Sequence, residues 1–533
     1  MTTMMKRHLL AAAAALALFS GSAAANDFRF SGAAPALTMD PHATNDFVTT
    51  AIFRQVYDSL TGLTLDMDIV PGLATDWEYL GDATWRFSLR EGVSFHDGST
   101  LTADDVVFSI LRQKNSRFYT ALFGGVVDAV AVDDLTVDVI SAAPDPILPR
   151  KMARMFIVNK AWAEANDSVT IPDLGAEGAE AFSIRNANGT GPMRLVSHDP
   201  AVETRFAVHE DFWGERPGNV ETASYLPIGS APTRVAALLS GDIDLITDLP
   251  LQDIARLSST PGFMVDEAPQ LSLMQLELDG TREVALETFD KAGNPLNANP
   301  FKDVRVRLAM AHAIDAEQIV DRVMRGKARV AGTATTPGFG GYQPDLDVRW
   351  PTDLDRAREL LAEAGYPDGF VTTLNCPLER YVNSEEICRA TAAMLARIGI
   401  EVRVNGMVWP EFARMLVNGP DSSFHLIGMG ANSWDAQDTF TGYMMTRDPE
   451  ANEGFFNWAL YSNEIVDEVS RILPQTFDEE ERTELYRRAL IEARETVSGI
   501  YLHQPMLVWG MREGVTAPIR SDATVTLENV IVN

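Results

Sequence analysis

Between Thr84 and Leu111 the hydrophobic period of the chain changes from two to about three and a half across a single turn, and no other feature constrains the fold as much. Trp85, Phe87 and Leu89 alternate with Arg86, Ser88 and Arg90, the pattern of a half-buried strand. Asp97-Gly98 supplies a tight turn. Thr102 then fits a helix N-cap, with Asp104 and Asp105 in the first turn, where carboxylates oppose the positive end of the helix dipole. Val106, Val107, Ile110 and Leu111 form the apolar stripe behind them. The paired carboxylates therefore have a structural task. His96, at the end of a strand, has neither a base partner nor a metal partner in its local spacing and reads as scaffold.

The same alternation recurs. A helix is expected from Phe301 to Ala313; Asp315 caps a second, with Gln318 in the capping-box position and Gly326 as its stop. From Thr352 to Gly365, Leu354, Ala357, Leu360, Leu361 and Ala364 make one apolar face. Ile387 to Ile398 is a further helix, followed across Gly399 by the alternating strand Ile400, Val402, Val404. Phe424 to Met429 reads as a buried strand that runs into a Gly- and Asn-rich loop. Strands interleaved with helices imply α/β layers. Loop-rich joints fall at 166–192 and at 290–300, and no internal repeat or heptad is present.

The N-terminus has the form of a secretory signal: Lys6 and Arg7, an apolar run from Leu9 to Phe19 too short to span a bilayer, and Ala23-Ala24-Ala25 as the cleavage site. Cleavage after Ala25 leaves about 508 residues, enough for about three domains, and a hydrophobic share of 46% suits large cores. The expected location is the periplasm. The formal charge of −31 repels phosphate backbones and anionic lipid, which argues against nucleic acid as a partner.

Two cysteines, Cys376 and Cys388, are close enough in sequence for a disulfide in an oxidising compartment, with two buried thiols as the alternative. Signatures of a secreted enzyme are missing: the sequence contains no G-x-S-x-G elbow, no H-E-x-x-H and no phosphate-binding G-x-x-x-x-G-K-[ST]. The eight histidines are scattered. No catalytic residue, metal ligand or cofactor is expected.

Seven segments, in order, resemble the family 5 solute-binding proteins of ABC transporters, the peptide, opine and nickel binders. They are "PGLATDWEYLGDATWRFSLREGVSFHDGSTLTADDVVFSI", "GTGPMRLV", "HEDFWG", "ALLSGDIDL", "DVRVRLAMAHAIDAEQIV", "DRARELLAEAGYPDGF" and "TAAMLARIGIEV". The resemblance implies a class II periplasmic binding protein of two hinged lobes with an extra inserted domain. Domain I would comprise 26–60, 188–278 and 503–533, domain II the insertion 61–187, and domain III 279–502. A monomer would capture a di- or oligopeptide, or an opine, sugar or nickel chelate, between domains I and III and deliver it to a permease in the inner membrane.

The resemblance also suggests the ligand contacts. In "GMGANSWDAQD", Asn432 stands where many relatives carry an aspartate, and Asp435 matches a second acidic position, which makes it the candidate for a ligand ammonium. Arg380, in "PLERYVNSEE", lies where dipeptide binders have a carboxylate-binding arginine, a bidentate role that lysine would not reproduce. Trp434 is a candidate to stack on the ligand, and Asn45 and Asp46 would face the cleft from domain I. Trp409 reads as core, and Trp458 and Tyr461 as either core or cleft wall.

Overall fold

A computed structural model describes residues 26–175, 180–378, 380–417, 419–430, 432–451 and 453–533. The expected signal segment, 1–25, lies outside the described residues.

The strand and helix of the opening motif form as Thr84–Leu89 and Ala103–Gln113. Thr102 and Asp105 close a capping box, with the Thr102 amide donating to the Asp105 carboxylate at 3.0 Å. The other Asp105 oxygen accepts the Lys160 amide at 2.8 Å, so this carboxylate joins two helices. His96 lies near Gly191, its Nε2 3.0 Å from that carbonyl oxygen, and acts as scaffold. Thr84–Leu89 belongs to a four-stranded antiparallel sheet with Ala74–Gly81, Thr136–Ser141 and Val126–Asp133. Phe87, Phe95, Val106, Ile110 and Val137 fill a core of their own beneath it.

The expected helices appear with shifted ends. The first begins as a short turn, Pro300–Lys302, and becomes α-helical at Val304–Ala313 because Asp303 caps it there. Leu354–Glu363 is capped by Asp353 and Ser384–Ala396 starts three residues earlier than its apolar stripe indicates. After Asp315 only Ala316–Gln318 is α-helical, and Ile319–Val323 widens into a π turn.

Among the described residues thirteen strands join one large sheet, which divides into two sets. Asp27–Ser31 pairs in parallel with Thr222–Tyr225 and Leu245–Ile246. Val371–Leu378 pairs in parallel with Glu401–Val408 and at one residue with Phe424–Met429. One thirteen-residue strand, Ile500–Arg512, runs through both sets. Its first half pairs with Leu273–Leu278 and Ala328–Val330, its second with Phe263–Pro269 and Leu245–Ile246. The chain thus crosses between lobes near 270–272 and again between Pro505 and Met506. Leu273–Leu278 pairs with Phe424–Met429 in the second lobe, although the sequence resemblance assigned it to the first. The reason is that Met274, Leu276 and Leu278 pack into the core on one face, while on the other Gln275 donates to Glu277, which lies 3.0 Å from His425 of Phe424–Met429. Trp509, fully buried, anchors the first-lobe core beside Phe28 and Phe30.

Candidate functional site

The Gly- and Asn-rich loop after Phe424–Met429 is where the two lobes touch. Its geometry starts at Trp434, which holds a left-handed backbone (φ 57°), strained for a bulky side chain. Its carbonyl accepts from the Gly340 amide at 2.8 Å and from Arg150 Nη1 at 3.5 Å. A Cβ at Gly340 would fall 2.6 Å from the Asp435 carboxylate, so only glycine permits this approach. The Trp434 ring packs with Met67 and Ala153, and the guanidinium groups of Arg154 and Arg54 lie 5.5 and 5.8 Å from its centroid.

Asp435 caps the short helix Ala436–Asp438, accepting the Gln437 amide at 2.9 Å. Its Oδ1 also accepts the Tyr486 hydroxyl at 2.8 Å, Arg482 lies 3.6 Å from the same oxygen, and Arg150 lies 4.0 Å from Oδ2. Oδ1 is thereby taken up by the protein's own donors, and Oδ2 faces Arg150 at ion-pair distance. The expected ammonium anchor is a keystone of the loop in this structure. Asp438 is likewise internal, accepting from the Ser433 amide and hydroxyl at 2.7 and 2.8 Å. Burial holds its carboxyl above the ordinary range, against the charge of Lys151.

Asn432 is half-buried and its carbonyl accepts from Arg154 Nη1 at 3.0 Å. Arg154 also lies 5.8 Å from the Tyr119 ring centroid, and the Tyr119 hydroxyl donates to the Thr44 carbonyl at 3.1 Å. The neighbouring Asn45 donates to the Phe118 carbonyl at 3.0 Å. The structure therefore brings the Asn45 loop, Arg154, Asn432 and Trp434 into one continuous seam. Asp46 is less available: it caps Phe47–Phe53, taking the Thr49 amide and hydroxyl at 2.9 Å each.

Arg380 is exposed on the second lobe and stacks over Trp409 at 4.8 Å and Tyr381 at 5.6 Å. That platform orients its fork while leaving its edge available. Trp409 opens the helix Trp409–Val417, half-buried on the cluster of Phe412, Leu416 and Ile427. Trp458 packs on the same cluster, and Tyr461 is core, its hydroxyl 2.7 Å from that of Thr496. Cys376 and Cys388, both fully buried, are joined as a disulfide between a strand and the following helix.

Sequence reasoning missed Arg54, Arg150 and Arg154. Burial, reinforced by the charges of Arg520 and Arg154, pushes Arg54 down to about 9. A signal was present: "PRKMAR" places three cations within six residues of a strongly acidic chain. Among the described residues no group of three His, Cys, Asp or Glu side chains could hold a metal ion, and no helix is long and apolar enough to cross a membrane.

Two lobes joined at a double crossover, meeting through a basic and aromatic seam, define a hinged solute-binding protein. The sequence model of the bacterial extracellular solute-binding proteins, family 5, matches residues 68–449, and the chain belongs to that family, whose members are transport binding proteins rather than enzymes. It is 25% identical over 474 residues to the dipeptide-binding protein of Escherichia coli (strain K12), covering 84% of this chain and 82% of that one. It is 28% identical over 486 residues to heme-binding protein A of Haemophilus influenzae, covering 86% and 82%. Among solved structures, the periplasmic binding protein DppA from Helicobacter pylori in complex with peptide STSA superposes with a TM-score of 0.73 at 22% identity, covering 95% of this chain and 98% of that one.

Proposed function

We propose that the chain is the substrate-binding component of an ABC importer, exported to the periplasm with cleavage after Ala25, where as a monomer it captures a short peptide between its lobes and hands it to an inner-membrane permease. The observation that carries this reading is the seam itself: Arg150 and Arg154 of one lobe reach main-chain carbonyls of Trp434 and Asn432 of the other. Such contacts between lobes couple closure to whatever lies between them. The peptide-binding relatives support the ligand class.

Arg380, held on its aromatic platform, takes the peptide carboxylate. The amine end meets the Asn432 amide, which hydrogen-bonds without neutralising charge, because Asp435 Oδ1 is taken up by the Gln437 amide and the Tyr486 hydroxyl and its charge is met by Arg482 and Arg150. Trp434 stiffens this wall. The cleft should then tolerate a blocked amine.

Mass spectrometry of what co-purifies with the mature protein tests this, followed by melting curves with free and N-acetylated dipeptides. A true ligand at a thousandfold excess over Kd adds about 4 kcal/mol of stability. A ladder of short peptides and a shift with both forms are expected. A single non-peptide mass with no shift from either dipeptide would overturn the peptide reading.

A further inference from the structure

Arg380 and Tyr381 lie in the connection between the strand Val371–Leu378 and the helix Ser384–Ala396, and the Cys376–Cys388 disulfide closes the loop that contains them. The start of that helix has no side-chain cap. Asn383 stands at the cap position with a left-handed backbone (φ 54°), but its side-chain amide donates to the Val323 carbonyl at 2.8 Å. An uncapped first turn frays readily. Cys388 lies one turn into the helix, so the bridge ties this end to the strand, alongside a bond of 2.6 Å from the Ser384 hydroxyl to the Pro377 carbonyl.

The partners of the connection lie on other elements. The Arg380 guanidinium is 4.8 Å from the ring centroid of Trp409, which opens the helix Trp409–Val417. Tyr381 packs on Phe424–Met429, where a Cβ added at Gly428 would fall 2.6 Å from its ring. Bidentate capture of a carboxylate needs the guanidinium fork placed to within about 0.5 Å, and stacking alone does not set the height at which the chain delivers it. Resting on the reading of Arg380 as the contact for the peptide carboxylate, we propose that Cys376 and Cys388 are positioning residues for that contact. Both are fully buried and touch no ligand; their bridge fixes the two ends of the connection that presents Arg380. Its loss therefore costs affinity for the carboxylate end of a ligand, separately from the stability of the fold.

The dipeptide Ala-Phe and its C-terminal amide, titrated calorimetrically into the mature wild type, Cys376→Ala/Cys388→Ala, Arg380→Ala and the triple variant, test this. The cysteine variant should bind Ala-Phe about tenfold more weakly and the amide within about twofold of wild type, and in the Arg380→Ala background the cysteine changes should add no further loss. A second pair, Cys376→Val/Cys388→Ala, keeps more volume at the strand position, so that a packing defect in one pair leaves the other decisive. Trypsin cleavage after Arg380, followed by mass spectrometry without ligand, should be at least about fivefold faster in both cysteine variants. No heat from Ala-Phe in the wild type, or unchanged affinity in Arg380→Ala, would overturn the carboxylate reading of Arg380 and the positioning role with it. A loss in Arg380→Ala, with cysteine variants that bind Ala-Phe like wild type, lose the amide equally or are cut no faster, would leave that reading standing and overturn the positioning role alone.

Discussion

Arg154 of the first lobe donates from Nη1 to the main-chain carbonyl of Asn432 in the second lobe, 3.0 Å away. Because the acceptor is a backbone atom, no substitution at 432 removes it. Only the position of the loop decides whether the bond forms.

Arg154→Ala removes this bond and one of the two cations beside Trp434 while sparing the core of either lobe. A hydrogen bond from a charged group contributes about 1.5–3 kcal/mol, so ligand affinity should fall by about tenfold or more. Calorimetry with the co-purified ligand measures the loss, and small-angle scattering should show the liganded variant more extended. Unchanged affinity would mean that the seam does not contribute to closure.

Asp435→Asn tests whether this carboxylate serves the loop or the ligand. Breaking a buried charge network costs about 3–5 kcal/mol, because Arg482 and Arg150 lose their counter-charge. Urea melts of the ligand-free protein should show most of that loss. A stable ligand-free variant with reduced affinity for amine ligands would instead return Asp435 to the ammonium role.

The disulfide between Cys376 and Cys388 closes a short loop with a sequence separation of 12. Chain entropy assigns such a loop about 3 kcal/mol. The Cys376→Ala, Cys388→Ala double variant should lose about that amount in urea melts, and reductant should lower wild-type stability similarly while leaving the variant unaffected.

Acid should destabilise the protein below the ordinary histidine range. Burial pushes His503 down to about 4, and burial with the charge of Arg112 pushes His42 down to about 3. The unfolded chain takes up these protons as pH falls through 6.5 while the folded chain does not, so the stabilisation is full above 6.5 and drains toward the folded values. Each imidazole contributes a loss of about 2 kcal/mol between about pH 6.5 and about pH 5. Urea melts across that interval should show the fall, and a shallower one for His503→Leu, whose parent ring has no hydrogen-bond partner among the described residues. An equal slope in the variant would remove His503 from the account.

Local order in this protein was legible from residue spacing. The period-two run at Thr84–Leu89, the capping box at Thr102 and Asp105, and the buried strand Phe424–Met429 follow from side-chain alternation and capping chemistry, which act over a few residues. The ordered motifs were enough to place the chain in its family. The roles inside "GMGANSWDAQD" were not legible, because a carboxylate's function depends on what faces it, and Arg150, Tyr486 and Arg482 reach Asp435 from distant parts of the chain. Nor could spacing assign Leu273–Leu278 to a lobe, since a strand buried on both faces is compatible with either sheet until its neighbours pair with it. Sequence determined the elements and their kinship; tertiary structure decided which charges are internal and where the lobes divide, because Coulomb and hydrogen-bond energies depend on distances through space that chain order does not fix.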